Sequence, residues 1–358
     1  MAKFRVVGIS FDHMHMGDLL RMVHEHPDAE IAGIYDPDRA KMQAAIDAFD
    51  LPEDRVFTDF DTCMAAGPYD MALLCVATAQ HAEMTERLAP HGCHVLVEKP
   101  FAASADDARR MISAMQGTGK QMLINWPLRW VESHVTAKRL IDEGLIGELR
   151  EVHFYDGNRG PLYHLADKVE VSPDEVERQK PDSWWYKKAS GGGALLDYMG
   201  YGATLGTWYM DGEAPLEVTC TVDEVAGIEV DQHAIAVCRY ARGLSKMETR
   251  WGTFTDPWAI QPQPTCGFVF VGSDGTISSP DYASHVTVQT RARPEQHQIA
   301  ADPLPAGETN VIEYAVSRLN RGAAIDGPLA PDLCLTAQRI VDTAMQSAAE
   351  KRTLSLLP

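Results

Sequence analysis

Short apolar runs at 4–7, 31–35, 71–76, 94–97 and 121–124 alternate with amphipathic stretches that start near Asp12, Asp38, Gln80 and Ala103. Runs of that length between polar turns read as buried strands, and the alternation is what a parallel sheet with helical crossovers requires. Asp12, Asp38 and Ser104 suit helix N-caps or first-turn acids. After residue 125 the rhythm changes. A helix over about 131–143 precedes a strand at 148–155, and a loop from about 156 to 190 carries Pro161, Pro173 and Pro181. A loop so long is more often functional than structural. A glycine-rich helix follows at about 194–210. Alternating runs at 216–224, 232–240, 243–252 and 267–279 predict an antiparallel or mixed sheet with one covered face. Helices near 309–320 and 331–349 close the chain.

Composition narrows the function classes. The 358 residues suffice for two domains, and the net charge of −19 argues against nucleic acid and anionic membranes as partners. Seven cysteines, none at C-x-x-C spacing, fit buried free thiols in a reducing compartment. The strand that opens the chain leaves no secretory signal, and no apolar run reaches transmembrane length, so a cytoplasmic location is expected.

The first turn, Gly8-Ile9-Ser10-Phe11-Asp12-His13, matches a dinucleotide fingerprint at its first glycine alone. It still opens a helix whose free N–H groups favour phosphate, with Ser10 and His13 where glycines would stand. Asp36 ends the second strand, where a carboxylate accepts from both adenosine ribose hydroxyls and repels a 2′-phosphate. NAD is therefore expected, with Arg39 leaving NADP as the alternative. His13, His15, His24 and His26 raise a metal question. His13 and His15 are two apart, so on a helix they face different ways, and no carboxylate or thiol has metal-ligand spacing. No metal is expected.

Val95-Leu96-Val97 runs into Glu98-Lys99-Pro100, and Pro100 biases Lys99 towards an extended backbone. The lysine thus stands at the end of a parallel strand, where ligands of open α/β sheets sit. Together with Asp36, Ala77-Thr78-Ala79-Gln80-His81 and Gly191-Gly192-Gly193-Ala194-Leu195-Leu196-Asp197, this ordered set resembles the Gfo/Idh/MocA oxidoreductase family. The resemblance spans nearly the whole chain.

It implies an N-terminal Rossmann doubly wound parallel sheet over 1–124. It also implies a C-terminal α/β domain over 125–358, with a large open, mostly antiparallel sheet that takes part in substrate binding and oligomer contacts. A homodimer or homotetramer is expected. The implied activity is NAD-dependent hydride transfer to or from a hydroxyl or carbonyl carbon of a sugar or cyclic polyol. Candidate cofactor contacts are Gly8, Ser10, Phe11, Asp12, His13, Asp36, Thr78, Gln80, His81, Glu98, Lys99, Arg129 and Trp185. Candidate substrate contacts are Lys99, Trp126, Arg159, His164, Asp197 and Tyr201, the indole suiting sugar C–H faces. Lys99, Tyr201 and Asp197 are the catalytic candidates.

The chain departs from the family in the first turn, in Thr78-Ala79-Gln80 where many members read T-P-N, and in Tyr201 where many carry histidine. Asp197 and Tyr201, four apart, share one helix face. Either Tyr201, its phenol lowered by the Lys99 charge, or Lys99 itself could accept the proton. A lyase or glycosidase-like enzyme with transient oxidation, and a non-catalytic NAD-binding sensor, are the other readings.

Overall fold

A computed structural model describes residues 2–163 and 171–358. Its first layer runs β1 (Phe4–Ile9), α1 (His15–Glu25), β2 (Ala29–Tyr35), α2 (Arg39–Ala48), β3 (Val56–Phe57), α3 (Phe60–Ala65), β4 (Met71–Leu74), α4 (His81–Leu88), β5 (His94–Glu98), α5 (Ala105–Met115) and β6 (Met122–Asn125). The six strands are parallel in the order β3-β2-β1-β4-β5-β6. Both faces are covered by helices, so β4 and the Val95–Val97 stretch of β5 are apolar and buried with no polar alternation. Order reverses between β1 and β4, and the crevice at that switch point opens at the strand C-termini.

The second layer continues with α6 (Glu132–Asp142), β7 (Leu149–Asn158), α7 (Pro173–Gln179), α8 (Ala194–Tyr209), β8 (Glu217–Val222), β9 (His233–Arg239), β10 (Leu244–Trp251), β11 (Gly267–Gly272), β12 (Gly275–Pro280), β13 (His285–Thr290) and β14 (His297–Ala300). Then come α9 (Val311–Asn320), α10 (Pro331–Glu350) and β15 (Leu354–Ser355). The nine-stranded sheet, ordered β14-β13-β12-β11-β7-β10-β9-β8-β15, is antiparallel except at β10–β7. Its strands do alternate: Ala234, Ala236 and Cys238 point inward from β9, and Ser245, Met247, Thr249 and Trp251 from β10. α8 packs on this inner face over β7 and β10, with α10 beside it against β8. Covered on several sides, α8 is apolar around most of its circumference.

Two glycines let α8 come close to its neighbours. A Cβ on Gly200 would lie 2.7 Å from the Trp126 ring, and one on Gly202 would lie 2.5 Å from the Phe154 ring. The chain then returns to the first layer. Val311, Ile312 and Tyr314 of α9 share a core with residues of β1, α1 and α2.

Several expectations change. The stretch 156–190 is not one loop: β7 runs to Asn158, and α7 and short 3₁₀ turns occupy part of the rest. Helix α1 starts at His15 with Met14 as its N-cap, whereas Asp38 and Ser104 cap α2 and α5 through their side chains. The run at 267–279 is the hairpin β11–β12. Short β3, α3, β14 and β15 lacked enough period to be seen, and β13 was missed although Val286 and Val288 alternate with polar residues. All seven cysteines are buried and unpaired. Among the described residues, no helix is long and apolar enough to cross a membrane.

Candidate active site

Lys99 follows directly on β5 at the strand C-terminus, and Asp197 stands in the first turn of α8. Their side chains, 4% and 3% exposed, form an ion pair between Lys99 Nζ and Asp197 Oδ1. The other Asp197 oxygen accepts from Trp251 Nε1 at 3.3 Å. The ammonium lies 5.5, 5.6 and 5.9 Å from the ring centroids of Trp185, Tyr198 and Tyr201. Aromatic faces favour a desolvated cation at this distance. Lys99, Asp197, Tyr198, Tyr201 and Trp185 all line one cavity of about 620 Å³.

The Tyr201 hydroxyl does not behave as expected. Burial raises its pKa well above the ordinary phenol value, and the Glu98 and Asp197 charges raise it further. Lys99 meets the ring and is not what sets the hydroxyl's acidity. Tyr201 is therefore a neutral hydroxyl, and the idea of a lysine-lowered phenolate is corrected.

Glu98 is wholly buried and accepts from Asn125 Nδ2 at 2.8 Å; His15 Nδ1 lies 2.8 Å from its other oxygen. Burial works to raise the Glu98 carboxyl, but His15, Lys99 and Asn125 together hold it below the usual value. His13 joins this group, with Nε2 3.9 Å from the same Glu98 oxygen and its ring centroid 4.5 Å from that of His15. The two histidines were expected to diverge on a helix. They converge because His13 precedes α1, and Glu98 comes from 83 residues away. His13, His15 and Glu98 thus have ligand atoms close enough for an ion. However, His13 Nδ1 accepts the His15 backbone N–H at 3.2 Å, which puts the proton of a neutral ring on Nε2. That nitrogen then points a proton, not a lone pair, at Glu98.

The nucleotide end departs from the fingerprint. Ser10 takes the left-handed conformation, φ 65°, that the missing glycine would have supplied. Asp36 is fully buried, and its oxygens accept the backbone N–H of Phe11 at 2.8 Å and of Asp38 at 2.9 Å. It shapes the turn from beneath, and Oδ2 also accepts from Ser10 Oγ at 3.3 Å. Asp12 bridges to the second loop, accepting from Ala77 N at 3.2 Å and from Lys41 Nζ at 2.6 Å. Trp184 Nε1 donates to the Asp12 carbonyl oxygen at 3.0 Å. Gly8 brings α1 close: a Cβ there would lie 3.0 Å from Met16 Sδ. Thr78 is buried, with Gly191 so near that a Cβ on it would sit 2.9 Å from Thr78 Cβ; Gln80 is exposed.

Four candidates are placed elsewhere. Trp126 is buried with its indole N–H on Cys334 Sγ at 3.4 Å and its ring edge-on to Tyr201, so no face is left for a sugar. The Arg129 guanidinium lies between the rings of Trp130 and Trp208, away from the crevice. His81 is buried with both ring nitrogens 3.1 Å from the carbonyl oxygens of Phe101 and Val76, and burial lowers its pKa. Arg159 is tied to Asp256 at 2.8 Å and lies over Tyr163. His164 lies outside the described residues.

Sequence reasoning weighed His15 for a metal alone and overlooked Asp156, Asn158, Tyr198 and Asp281, all of them on the cavity wall with it. A carboxylate that follows the apolar pair Phe154-Tyr155 at the end of a strand was the available signal for Asp156. The donor set at the Lys99 end fits a nicotinamide cofactor with a polar substrate. At the phosphate end the N-cap Met14 offers no side-chain acceptor; the His15 N–H goes to His13 Nδ1 and those of Met16 and Gly17 to the His13 and Met14 carbonyl oxygens at 3.2 and 3.3 Å, so what the start of α1 offers an anion is its dipole.

Comparison with known proteins agrees with this geometry. Residues 2–126 match the model of an oxidoreductase family with an NAD-binding Rossmann fold, GFO_IDH_MocA, and residues 134–278 match the GFO/IDH/MocA C-terminal domain. The chain is 23% identical over 343 residues to an inositol 2-dehydrogenase of Rhizobium meliloti (strain 1021), covering 94% of each. It superposes on a levoglucosan dehydrogenase in complex with NADH and levoglucosan with a TM-score of 0.79 at 17% identity, covering 99% of this chain and 100% of that one. An oxidoreductase from Agrobacterium radiobacter, in complex with NAD+, L-tartaric acid and magnesium, gives 0.78 at 18% identity over 99% of both.

Proposed function

Because the chain belongs to the Gfo/Idh/MocA family of oxidoreductases, we propose that it interconverts a hydroxyl and a carbonyl on a sugar or cyclic polyol, using NAD. The observation that carries this reading is the buried Lys99–Asp197 ion pair, joining the end of β5 to the start of α8 on the wall of the crevice. The structural relatives solved with NAD+, or with NADH and a sugar, support it.

Bound NAD supplies the hydride acceptor for oxidation, and the protein has to manage the proton. Lys99 would hydrogen-bond the reacting oxygen. For oxidation the ammonium, which has no lone pair, would first pass a proton to Asp197 Oδ1; the neutral amine would then take the alcohol's proton, and Asp197 would release the one it holds to the crevice. In the reverse direction the ammonium donates. Tyr201, held neutral, would donate a hydrogen bond to the substrate and fix its orientation. Trp251 keeps Asp197 aimed at the lysine. At the other end, Ser10, Phe11, Asp12 and His13 with the start of α1 would hold the phosphates, Asp36 acting through the turn it supports. NAD is favoured over NADP because Arg39, the cation that could receive a 2′-phosphate, is paired with Glu53 at 2.6 Å.

We further propose a homo-oligomer built on the outer face of the second sheet. The whole chain, its cofactor-binding layer over 1–124 and the remainder to 358, would act as one unit. The test is to incubate the purified protein with NAD, and in parallel NADP, and a panel of sugars and cyclic polyols, following nicotinamide absorbance. Lys99→Ala should lower kcat by about 10²–10⁴ while calorimetry shows NAD affinity close to normal. A wild-type chain that changes no panel member, or a Lys99→Ala variant at full rate, would sink the reading.

A further inference from the structure

The far wall of the crevice carries chemistry that proton handling at Lys99 does not use. Asp156 on β7 and Asp281, just after β12, line the same cavity and are 3% and 2% exposed. Asp281 Oδ1 lies 2.7 Å from His134 Nε2, and His134 Nδ1 lies 2.8 Å from Ser279 Oγ. Asp281 is thereby held in one orientation by α6 and β12. The remaining oxygens, Asp156 Oδ1 and Asp281 Oδ2, are buried and have no hydrogen-bond partner among the described residues. Asp156, Asp281 and the buried Cys266 thiol have ligand atoms within 4.8 Å of one another.

We infer that Asp156 and Asp281 receive a primary ammonium group of the substrate, so that the compound oxidised is an amino sugar or an aminated cyclic polyol. This rests on the oxidoreductase reading of the same crevice. Buried acceptors without partners are rare and costly in folded proteins, and buried charges are ordinarily paired. Among the described residues, no lysine or arginine pairs with Asp156 or Asp281: Lys99 is bound to Asp197, and His134 meets Asp281 through one oxygen. A neutral polyol would add no counter-charge to the Asp156–Asp281 pair. An ammonium has three donors at a short reach, bridges acceptors spaced this way, and supplies the missing charge. Burial and the neighbouring Asp281 and Asp197 charges raise the Asp156 carboxyl, and an ammonium beside it would oppose that rise. The rings of Tyr198 and Tyr282 on the same cavity suit a cation as well.

The experiment compares matched pairs on the full-length protein with NAD present: D-glucosamine against D-glucose, and scyllo-inosamine against scyllo-inositol. Calorimetry reads binding, and nicotinamide absorbance reads oxidation. The expected result is that the amine binds at least ten-fold more tightly than its hydroxyl partner at neutral pH. Asp281→Asn and, separately, Asp156→Asn should reduce that ratio to near one, with thermal unfolding confirming a folded chain. Equal binding of amine and hydroxyl by the wild type overturns the inference, and so does an amine preference that survives both substitutions. A stoichiometric divalent ion, found by elemental analysis of dialysed wild-type protein and lost in Asp281→Asn, overturns it in favour of a metal site. Oxidation of the neutral members without amine preference rejects the ammonium and leaves the oxidoreductase reading standing. Selective amine binding with no oxidation by NAD does the reverse.

Discussion

At the scale of single residues, burial decides which groups do chemistry. Tyr201 was one of two candidate proton acceptors, but a desolvated phenol beside Glu98 and Asp197 keeps its proton. Tyr201→Phe should therefore raise KM while lowering kcat less than ten-fold, and the pH–rate profile should keep its shape. Loss of the alkaline-rising limb in this variant would return the proton to Tyr201. His94 shows the same physics away from the site. Burial, with the Lys120 charge beside it, lowers its pKa to about 4, and its Nδ1 accepts the Gln121 N–H at 2.9 Å. The unfolded imidazole titrates near ~6.5, so the unfolded chain takes up a proton first as pH falls. This group's contribution is present above about 6.5 and is lost as pH falls towards 4. An asparagine can accept the same N–H without titrating. His94→Asn should flatten the stability–pH curve in that window by on the order of 2 kcal/mol, after allowance for partial exposure. Denaturant melts at several pH values would show an unchanged slope if the account is wrong.

At the scale of elements, α8 is the part that assembles the site, because Asp197, Tyr198 and Tyr201 all ride on it. Its position depends on close contact with β7 and with the segment after β6. Gly202→Ala would place a Cβ 2.5 Å from Phe154 Cδ1 and 2.9 Å from Cγ, deep in the core where the ring has little room to move. Overpacking of this kind costs about 1–3 kcal/mol, and the shift would also disturb the Lys99–Asp197 pair. Gly206→Ala is the control. Its Cβ would meet Met247 and Val152 at 3.8 Å, an ordinary contact. That variant should be stabilised by up to about 1 kcal/mol through helix propensity. Thermal unfolding of the two alanine variants should move in opposite directions. A Gly202→Ala melt equal to wild type would mean that α8 is free to slide.

At the scale of the whole molecule, the second sheet has two unlike faces. Its inner face carries α8. Its outer face presents Val237, Lys246, His153 and Val269 in one row, paired across β9, β10, β7 and β11. Val237 and Val269 are 38% and 40% exposed, and Leu244 at the start of β10 is 52% exposed. A broad sheet face with apolar residues among charges is the sort of surface that a second copy of the chain covers. Light scattering at micromolar concentration should give at least twice the 39.5 kDa chain mass, and Val269→Lys should shift it towards one copy. A wild-type monomer would remove the oligomer from the proposal.

What the sequence determined by itself is whatever rests on local periodicity and on residues close together in the chain. The parallel strands, the change of rhythm near 125, the caps at Asp38 and Ser104, and the lysine at a strand end are all of that kind. Burial on both faces and capping are enforced within a few residues, so they leave a readable trace. The tertiary structure alone decided which side chains meet. His15 and Glu98 are 83 positions apart and Lys99 and Asp197 are 98 apart, and no spacing rule connects them. The same holds for the retreat of Trp126, Arg129 and His81 into packing, which depends on neighbours such as Cys334, Trp208 and Phe101. Even Asp36, at the position anticipated, accepts a backbone N–H from its own turn, at Asp38, and another from the distant first turn, at Phe11. A side chain's type is written in the sequence, but its solvation and its partners are set when distant segments pack, and those two quantities govern whether it binds, moves a proton or only fills space.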